Sequence, residues 1–471
     1  MRLSQATLGQ VKAGVALPVY DRSKVTTGIV HFGPGAFHRA HQAVYIDDLL
    51  ASDPSWGICE VSLHSESVGQ ALTPQDGFYT LAQLDAETQL RVIGSVRELL
   101  VAGRDAEQVM RRLTDPAVRL VSLTVTEKGY CLGADGDLDF SHPDIVRDVA
   151  DPAQPASVIG WIAEGLRGRR EAGTAAFTVL SCDNLTGNGH KLGRAVAALA
   201  RRTDPALADW IEAEVRFPDS MVDSITPATD DALRERVRDA IGLEDAWPIQ
   251  REAFTQWVIE DRLGPDAPDL ASVGVILTDD VAAFERAKLR LLNGAHSTLA
   301  YLGLLRGHET VAEAMGDPEL ARLLEALMTQ DVFPTLTAPR GLDLPAYAGD
   351  ILARFRNPAI RHKLSQIAWD GSQKLPFRLL GTITDLLAMN RPIERPTLGI
   401  AAWMRFVVRQ AKGDTPIVDP LADILADIGR ACSGDAKRDV AAFLRLEAVF
   451  PRTLADDARF VAALERGYAG L

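Results

Sequence analysis

The sequence predicts an α/β fold in two parts: a first domain over residues 1–280 with a mainly parallel sheet, and a largely α-helical domain over residues 281–471. Three observations carry this. Short β-branched runs alternate with helical stretches through the first half, and strands spaced in this way pair in parallel through helical crossovers that cover both faces of the sheet. From about Asp280 such runs become rare and apolar residues recur at helical spacing, as at 281–305, 321–328, 347–355 and 440–450. The third is a buried-type strand, 28–32, that ends on glycines before a helix expected over 36–50.

The remaining elements follow the same logic. Strands are expected at 56–63, 120–125 and 176–180, and the alternating stretch 89–93 reads as an antiparallel addition. No 20–50-residue repeat is present, which excludes a solenoid.

Lys+Arg total 50 and Asp+Glu 64 in 471 residues, a net charge of −14. That balance argues against nucleic-acid and anionic-membrane partners, which need a basic face. It leaves room for an anionic small molecule where a few cations gather. Cys59, Cys131, Cys182 and Cys432 stand singly, with no CxxC pair, so free buried thiols are expected and neither a disulfide framework nor a zinc site. No signal-peptide core and no run of about 18 apolar residues is visible, so a cytoplasmic protein is expected. Its partner is a small-molecule substrate, with no nucleic acid and no membrane, and it is expected as a monomer or weak homo-oligomer.

The strand 28–32 runs into Gly33-Pro34-Gly35-Ala36-Phe37-His38. This matches the first two glycines of a dinucleotide-binding turn. The first allows the tight turn, and the second lets a pyrophosphate approach the backbone at a helix N-terminus. His38 stands where the third glycine belongs, so an ordinary strand-to-helix turn remains open. Glu66, just past the second strand, is the best-placed acid for a ribose, with a solvated loop carboxylate as the alternative. No Arg or Lys occurs from Ser62 to Leu81, which favours NAD over NADP. His38 and His41 lie three apart on the expected helix, but no third ligand stands nearby and no metal is expected.

In the stretch 281–305, with Phe284 at zero and about 100° per residue, Lys288 falls near 40°, inside the apolar stripe. His296 and Asn293 fall near 120° and 180°, so the three polar residues span an arc of about 140°. Burial disfavours an ammonium and lowers its pKa, which makes a lysine a usable general base. Asn293 can donate to a developing alkoxide, and His296 can orient a hydroxyl. A snorkelling lysine with a satisfied histidine fits the same spacing. Polar segments at 181–189 and 220–227 read as loops at strand ends.

Together these pieces resemble the polyol-specific long-chain dehydrogenases, the mannitol dehydrogenase family, almost end to end. The resemblance rests on the glycine turn through Gln42, on Thr124-Val125-Thr126-Glu127-Lys128-Gly129-Tyr130, and on Ser181-Cys182-Asp183-Asn184. It continues in Met221-Val222-Asp223, Gln256-Trp257-Val258-Ile259-Glu260-Asp261, the Lys288, Asn293, His296 signature and Asp370-Gly371-Ser372-Gln373-Lys374. It implies a Rossmann-type first domain, a helical substrate domain and zinc-independent hydride transfer between NAD and a secondary alcohol. Lys288 is then the acid/base, Asn184 and Asn293 the oxyanion hole, and His296, Asp223 and Lys374 the substrate contacts. Gly33, Gly35, Phe37, Glu66, Thr126 and Glu127 would hold the cofactor. Within the family, the segments 127–131, 368–376 and 378–380 look most like the branch that interconverts D-mannonate and D-fructuronate. Gln366 stands where polyol-oxidising members are expected to carry an arginine. A hexonate needs a cation, and Arg361, Lys363, Lys374 and Arg378 are candidates. Mannitol or a related polyol is the alternative substrate, and a non-catalytic NAD sensor a distant third.

Overall fold

The computed structural model describes residues 1–85 and 87–471. The chain forms two compact units, Met1–Ala282 and Ala283–Leu471. The first contains β1 (Thr27–Phe32), β2 (Gly57–Ser62), β3 (Tyr79–Leu84), β4 (Gln89–Ile93), β5 (Val96–Val101), β6 (Leu120–Leu123), β7 (Thr178–Ser181), β8 (Ser220–Asp223), β9 (Ile249–Glu252), β10 (Gln256–Glu260) and β11 (Ile276–Thr278).

Five of these form one sheet in the order β5-β2-β1-β6-β7, and every pairing in it is parallel. Its strands are apolar on both faces because helices cover both. Val30, Phe32, Cys59, Val61, Val121 and Leu123 pack into one core with the helices Val158–Ala172 and Asn188–Thr203. Ile29, Ile58, Leu120 and Leu180 face the opposite core with the helix Gln42–Leu49. The strand order reverses between β1 and β6, so the crevice beyond their carboxyl ends is the ligand position of an open α/β sheet.

Two small sheets complete the unit. β4 pairs antiparallel with β3, and β9 joins β3 in parallel. β8 pairs antiparallel with β10, and β11 lies on the other edge of β10. The start of the 220–227 segment is therefore a strand and not a loop. Four residues beginning with a serine and ending with an aspartate carry too little periodicity to announce themselves.

The helix expected over 36–50 is divided. Ala36–Ala40 and Gln42–Leu49 meet at His41, whose backbone is non-helical at φ −122°, ψ −89°. A tertiary bond from His41 Nε2 to the Gln256 carbonyl, 3.0 Å, accompanies the break.

The second unit is helical and has no strand among its described residues. The helix Glu394–Lys412 packs against Gly294–Leu305, Ala422–Ala431 and Ala458–Ala469. Helix Ala436–Phe443 stops before the expected 450. The chain turns back there so that Phe443 and Phe450 both reach Trp403, at 5.7 and 6.2 Å. Three π-helical turns interrupt the α-helices of this unit, at Lys288–Asn293, Leu327–Val332 and Pro376–Leu380.

Candidate active site

In the first unit the candidate cofactor residues gather at the switch point. Gly33 leaves β1 at φ +95°, and a Cβ there would lie 2.1 Å from the Thr124 carbonyl oxygen beyond β6, so only glycine fits. At Gly35 the nearest atom to such a Cβ is 3.9 Å away. Internal packing therefore does not require that glycine, and the space it leaves lies over the start of Ala36–Ala40. Phe37 stacks on His41, with ring centroids 5.0 Å apart.

Thr126 follows β6 at φ +66°, ψ 165°, a strained backbone for a β-branched residue. Asp183 accepts hydrogen bonds from the amides of Val125 and Thr126, at 3.1 and 2.8 Å, and from the Tyr130 hydroxyl at 2.9 Å. It thereby ties the loop of Thr126 and Glu127 to the loop that carries exposed Asn184. Burial raises the Asp183 carboxyl above its usual range, opposed by these bonds. Asn188 extends the clamp. Its amide donates to the carbonyls of Asp183 and Ser220, at 3.0 and 2.9 Å, and accepts from Ser220 N at 2.9 Å. This fixes the Asn184 loop against β8, whose last residue is buried Asp223. Neither Asp183 nor Asn188 received a role from the sequence, although the former lies in a quoted motif.

Glu66 stands exposed at the start of helix Ser67–Leu72, beyond β2. The sequence placed no cation near it, but the fold does. Arg104, from the turn after β5, lies 3.9 Å from Glu66 and pairs through two bonds, 3.0 and 2.8 Å, with Asp105. Neighbouring strands, not neighbouring residues, make this contact.

Beneath the glycine turn is a buried polar cluster. His38 stacks on His31, with centroids 3.4 Å apart, and its Nε2 lies 3.3 Å from a Glu60 carboxyl oxygen. Burial pushes Glu60 up to about 7 and, with Arg39 adding to it, holds His38 down at about 3. Below the Glu60 value both groups are neutral, so the contact is not an ion pair. His38 and His41 thus serve separate surroundings and share no ligand face. Elsewhere among the described residues of this unit two groups, Cys131–His142–Asp144 and His190–Asp219–Glu260, hold metal-ligand-type atoms within 4.8 Å of one another. Their members are too dispersed in sequence to read as motifs. All four cysteines are buried and unbridged.

In the second unit the π-turn at Lys288–Asn293 changes the helical phase. Such a turn holds one residue more than an α-turn, so every residue beyond it falls back by about 100°. Asn293 and His296 move to about 80° and about 20°, on either side of Lys288 at about 40°. The arc of about 140° closes to about 60°, and the three polar side chains share a face. Lys288 and His296 are buried, at 9% and 8% exposure. The Asn293 amide makes no hydrogen bond among the described residues. His296 Nε2 is buried without a partner, and its ring stacks on Phe355 at 4.6 Å and meets His362 edge-on at 4.8 Å. Burial drives His296 well below its ordinary pKa, followed by the fields of His362, Arg378, Arg354 and Lys374. It is neutral.

The π-turn is held from outside by Arg290, which donates to the Thr335 carbonyl and to Asp385, at 3.0 and 2.6 Å. A Cβ on Gly294 would lie 2.9 Å from the Arg378 carbonyl oxygen, so this turn abuts the one at Pro376–Leu380. Asp370, at φ +54°, and Gly371, whose Cβ would strike Trp403 Nε1 at 2.3 Å, start the short helix that carries Lys374. Asp419 accepts from the Ser372 amide at 2.8 Å and pins that start. Lys374 Nζ donates to the Trp369 carbonyl at 2.7 Å, with Asp370 at 3.9 Å. Arg361, Lys363 and Gln366 are exposed.

Comparison with known proteins bears on both units. Residues 27–271 match the mannitol dehydrogenase Rossmann domain, and residues 280–471 the mannitol dehydrogenase C-terminal domain. A D-mannonate oxidoreductase from Escherichia coli (strain K12) is 44% identical, covering 97% of this chain and 96% of its own. A polyol:NADP oxidoreductase from Gluconobacter oxydans (strain 621H) is 38% identical over 88% of this chain and 87% of its own. The structure of Pseudomonas fluorescens mannitol 2-dehydrogenase, a ternary complex with NAD and D-mannitol, superposes with a TM-score of 0.84. It is 40% identical and covers 100% of this chain and 97% of that one.

Proposed function

The chain belongs to the mannitol dehydrogenase family of secondary-alcohol oxidoreductases, and on that premise we propose that it interconverts D-mannonate and D-fructuronate with NAD, without a metal. The observation that carries this reading is the shared face of Lys288, Asn293 and His296, with the Asn293 amide and His296 Nε2 awaiting partners. The D-mannonate relative at 44% identity supports the sugar acid over a neutral polyol, as does Gln366 where an arginine is expected in polyol oxidisers.

The first unit suits NAD. The open position at Gly35 gives a pyrophosphate room at the backbone, Glu66 stands where a ribose acid belongs, and Asp105 occupies the guanidinium of Arg104 that a 2′-phosphate would want. Phe37 follows β1, and Thr126 and Glu127 follow β6, the two strands at the switch point. When bound, NAD supplies or accepts the hydride.

The chain's own residues handle the proton and the charge. Buried Lys288 takes the hydroxyl proton during oxidation and returns it during reduction. Asn293 donates to the oxygen as charge develops, worth about 3 kcal/mol when well aimed. Neutral His296 orients a substrate hydroxyl.

The test is steady-state kinetics with NADH and NADPH on fructuronate, tagaturonate and fructose, repeated after exhaustive chelation. Fructuronate with NADH is expected to be preferred and EDTA to have no effect. Oxidation is expected to accelerate, and reduction to slow, as pH rises through the lysine titration. Lys288→Ala is expected to lower kcat about 10²–10⁴-fold with NADH affinity retained. A preference for fructose or mannitol returns the substrate to the polyols. Full activity in Lys288→Ala with an unchanged pH profile removes the lysine from the chemistry.

A further inference from the structure

Arg378 sits half-buried on the π-turn Pro376–Leu380. Its Nη1 donates to Ser297 Oγ at 3.0 Å, and Ser297 directly follows His296. Among the described residues no carboxylate pairs with this guanidinium, and its Nε–Nη2 edge makes no hydrogen bond. A largely desolvated cation without a counter-ion is costly, and this one occurs in a chain with 64 acidic residues. Other cations lie close by. His296 feels three cations, Arg378, Arg354 and Lys374. The Lys374 ammonium is held at a backbone carbonyl, with Asp370 the nearest acid at 3.9 Å. Two buried ring nitrogens here, His296 Nε2 and His362 Nδ1, have no partner.

A planar anion resolves all of this. The free edge of an arginine offers two parallel N–H donors at carboxylate spacing, which a lysine does not. We propose that the Nε–Nη2 edge of Arg378 binds the carboxylate of the sugar-acid substrate, and that Arg378, rather than Lys374, separates hexuronates from neutral ketoses. This rests on the reading of the chain as a hexonate oxidoreductase. Lys374 then adds field and holds the adjoining turn.

The experiment compares wild type, Arg378→Met and Arg378→Lys as NADH-loaded enzymes. The ratio of kcat/KM for fructuronate to that for fructose is expected to fall at least 50-fold in Arg378→Met, with only partial recovery in Arg378→Lys. An unchanged ratio overturns the proposal. A titration followed by nicotinamide fluorescence, with D-gluconate as anionic probe and sorbitol as neutral probe, tests the subsite without turnover. Wild type is expected to prefer gluconate, and Arg378→Met to lose that preference. Equal binding of both probes by wild type also overturns the proposal. If wild type prefers gluconate, loses that preference in Arg378→Met and yet does not reduce fructuronate, the subsite stands and the substrate reading of the preceding section falls.

Discussion

At the scale of single residues, Glu60 shows how a contact can mislead if read by type alone. Its carboxyl is fully buried, 3.3 Å from His38. Its folded pKa, about 7, lies above the ordinary glutamate value of 4.5. Between those pH values the unfolded chain releases a proton that the native state keeps, so stability falls as pH rises through this window and then levels off. His38 acts in the opposite sense. Its folded pKa is depressed to about 3, so stability is lost as pH falls below the ordinary histidine range. Glu60→Gln abolishes the first effect and not the second. Its stability relative to wild type, from denaturant unfolding at pH 5 and pH 8, is expected to improve by roughly 1–3 kcal/mol at the higher pH. No change between the two values would mean that Glu60 is ionised in the native state. The Glu66 environment was less legible. Arg104 is remote in sequence and reaches Glu66 only because β5 lies beside β2.

At the scale of elements, the sequence disclosed four of the five strands of the parallel sheet, and concealed β5 and the places where helices deviate. Five strand positions were readable because their apolar or alternating runs have few alternatives. β8 was not, for want of period. The π-turn was hidden for a stronger reason, since a fixed 100° step cannot reveal a place where the step changes. This defect in the calculation bears on the chemistry, because only the wider turn aligns Lys288 with Asn293 and His296. Inserting an alanine after Leu289, with the π-turn retained, adds one step and swings Lys288 about 100° away from the other two. Helical content by circular dichroism is expected to be retained, while kcat falls about 10²–10⁴-fold, as it would without the base. Near-normal turnover in the insertion variant would show that the phase of this helix is immaterial.

At the scale of the whole molecule, the two-part fold was the most legible feature, because the change in texture near Asp280 is a property of long segments. The charge is a property of the whole chain as well. A protein at −14 repels an anionic sugar from a distance, while Arg378 and its neighbours attract it only at short range. Salt shrinks the Debye length from about 30 Å at 0.01 M to about 8 Å at 0.15 M and screens the distant repulsion first. With NADH saturating, kcat/KM for fructuronate is therefore expected to rise across that range, the reverse of an electrostatically steered enzyme. A falling value would mean that the local cations govern the approach.

The four buried thiols have a use beyond packing. Burial raises Cys59 and Cys182 well above the ordinary range, Cys131 to about 12 and Cys432 to about 11, so the native protein presents almost no reactive thiolate. Three of these residues belong to Met1–Ala282 and one to Ala283–Leu471. Alkylation at each sulfur is accordingly a clock for the opening of its own half. Peptide mapping of the modified sites tells whether the two halves unfold in concert or in succession, with no label engineered in.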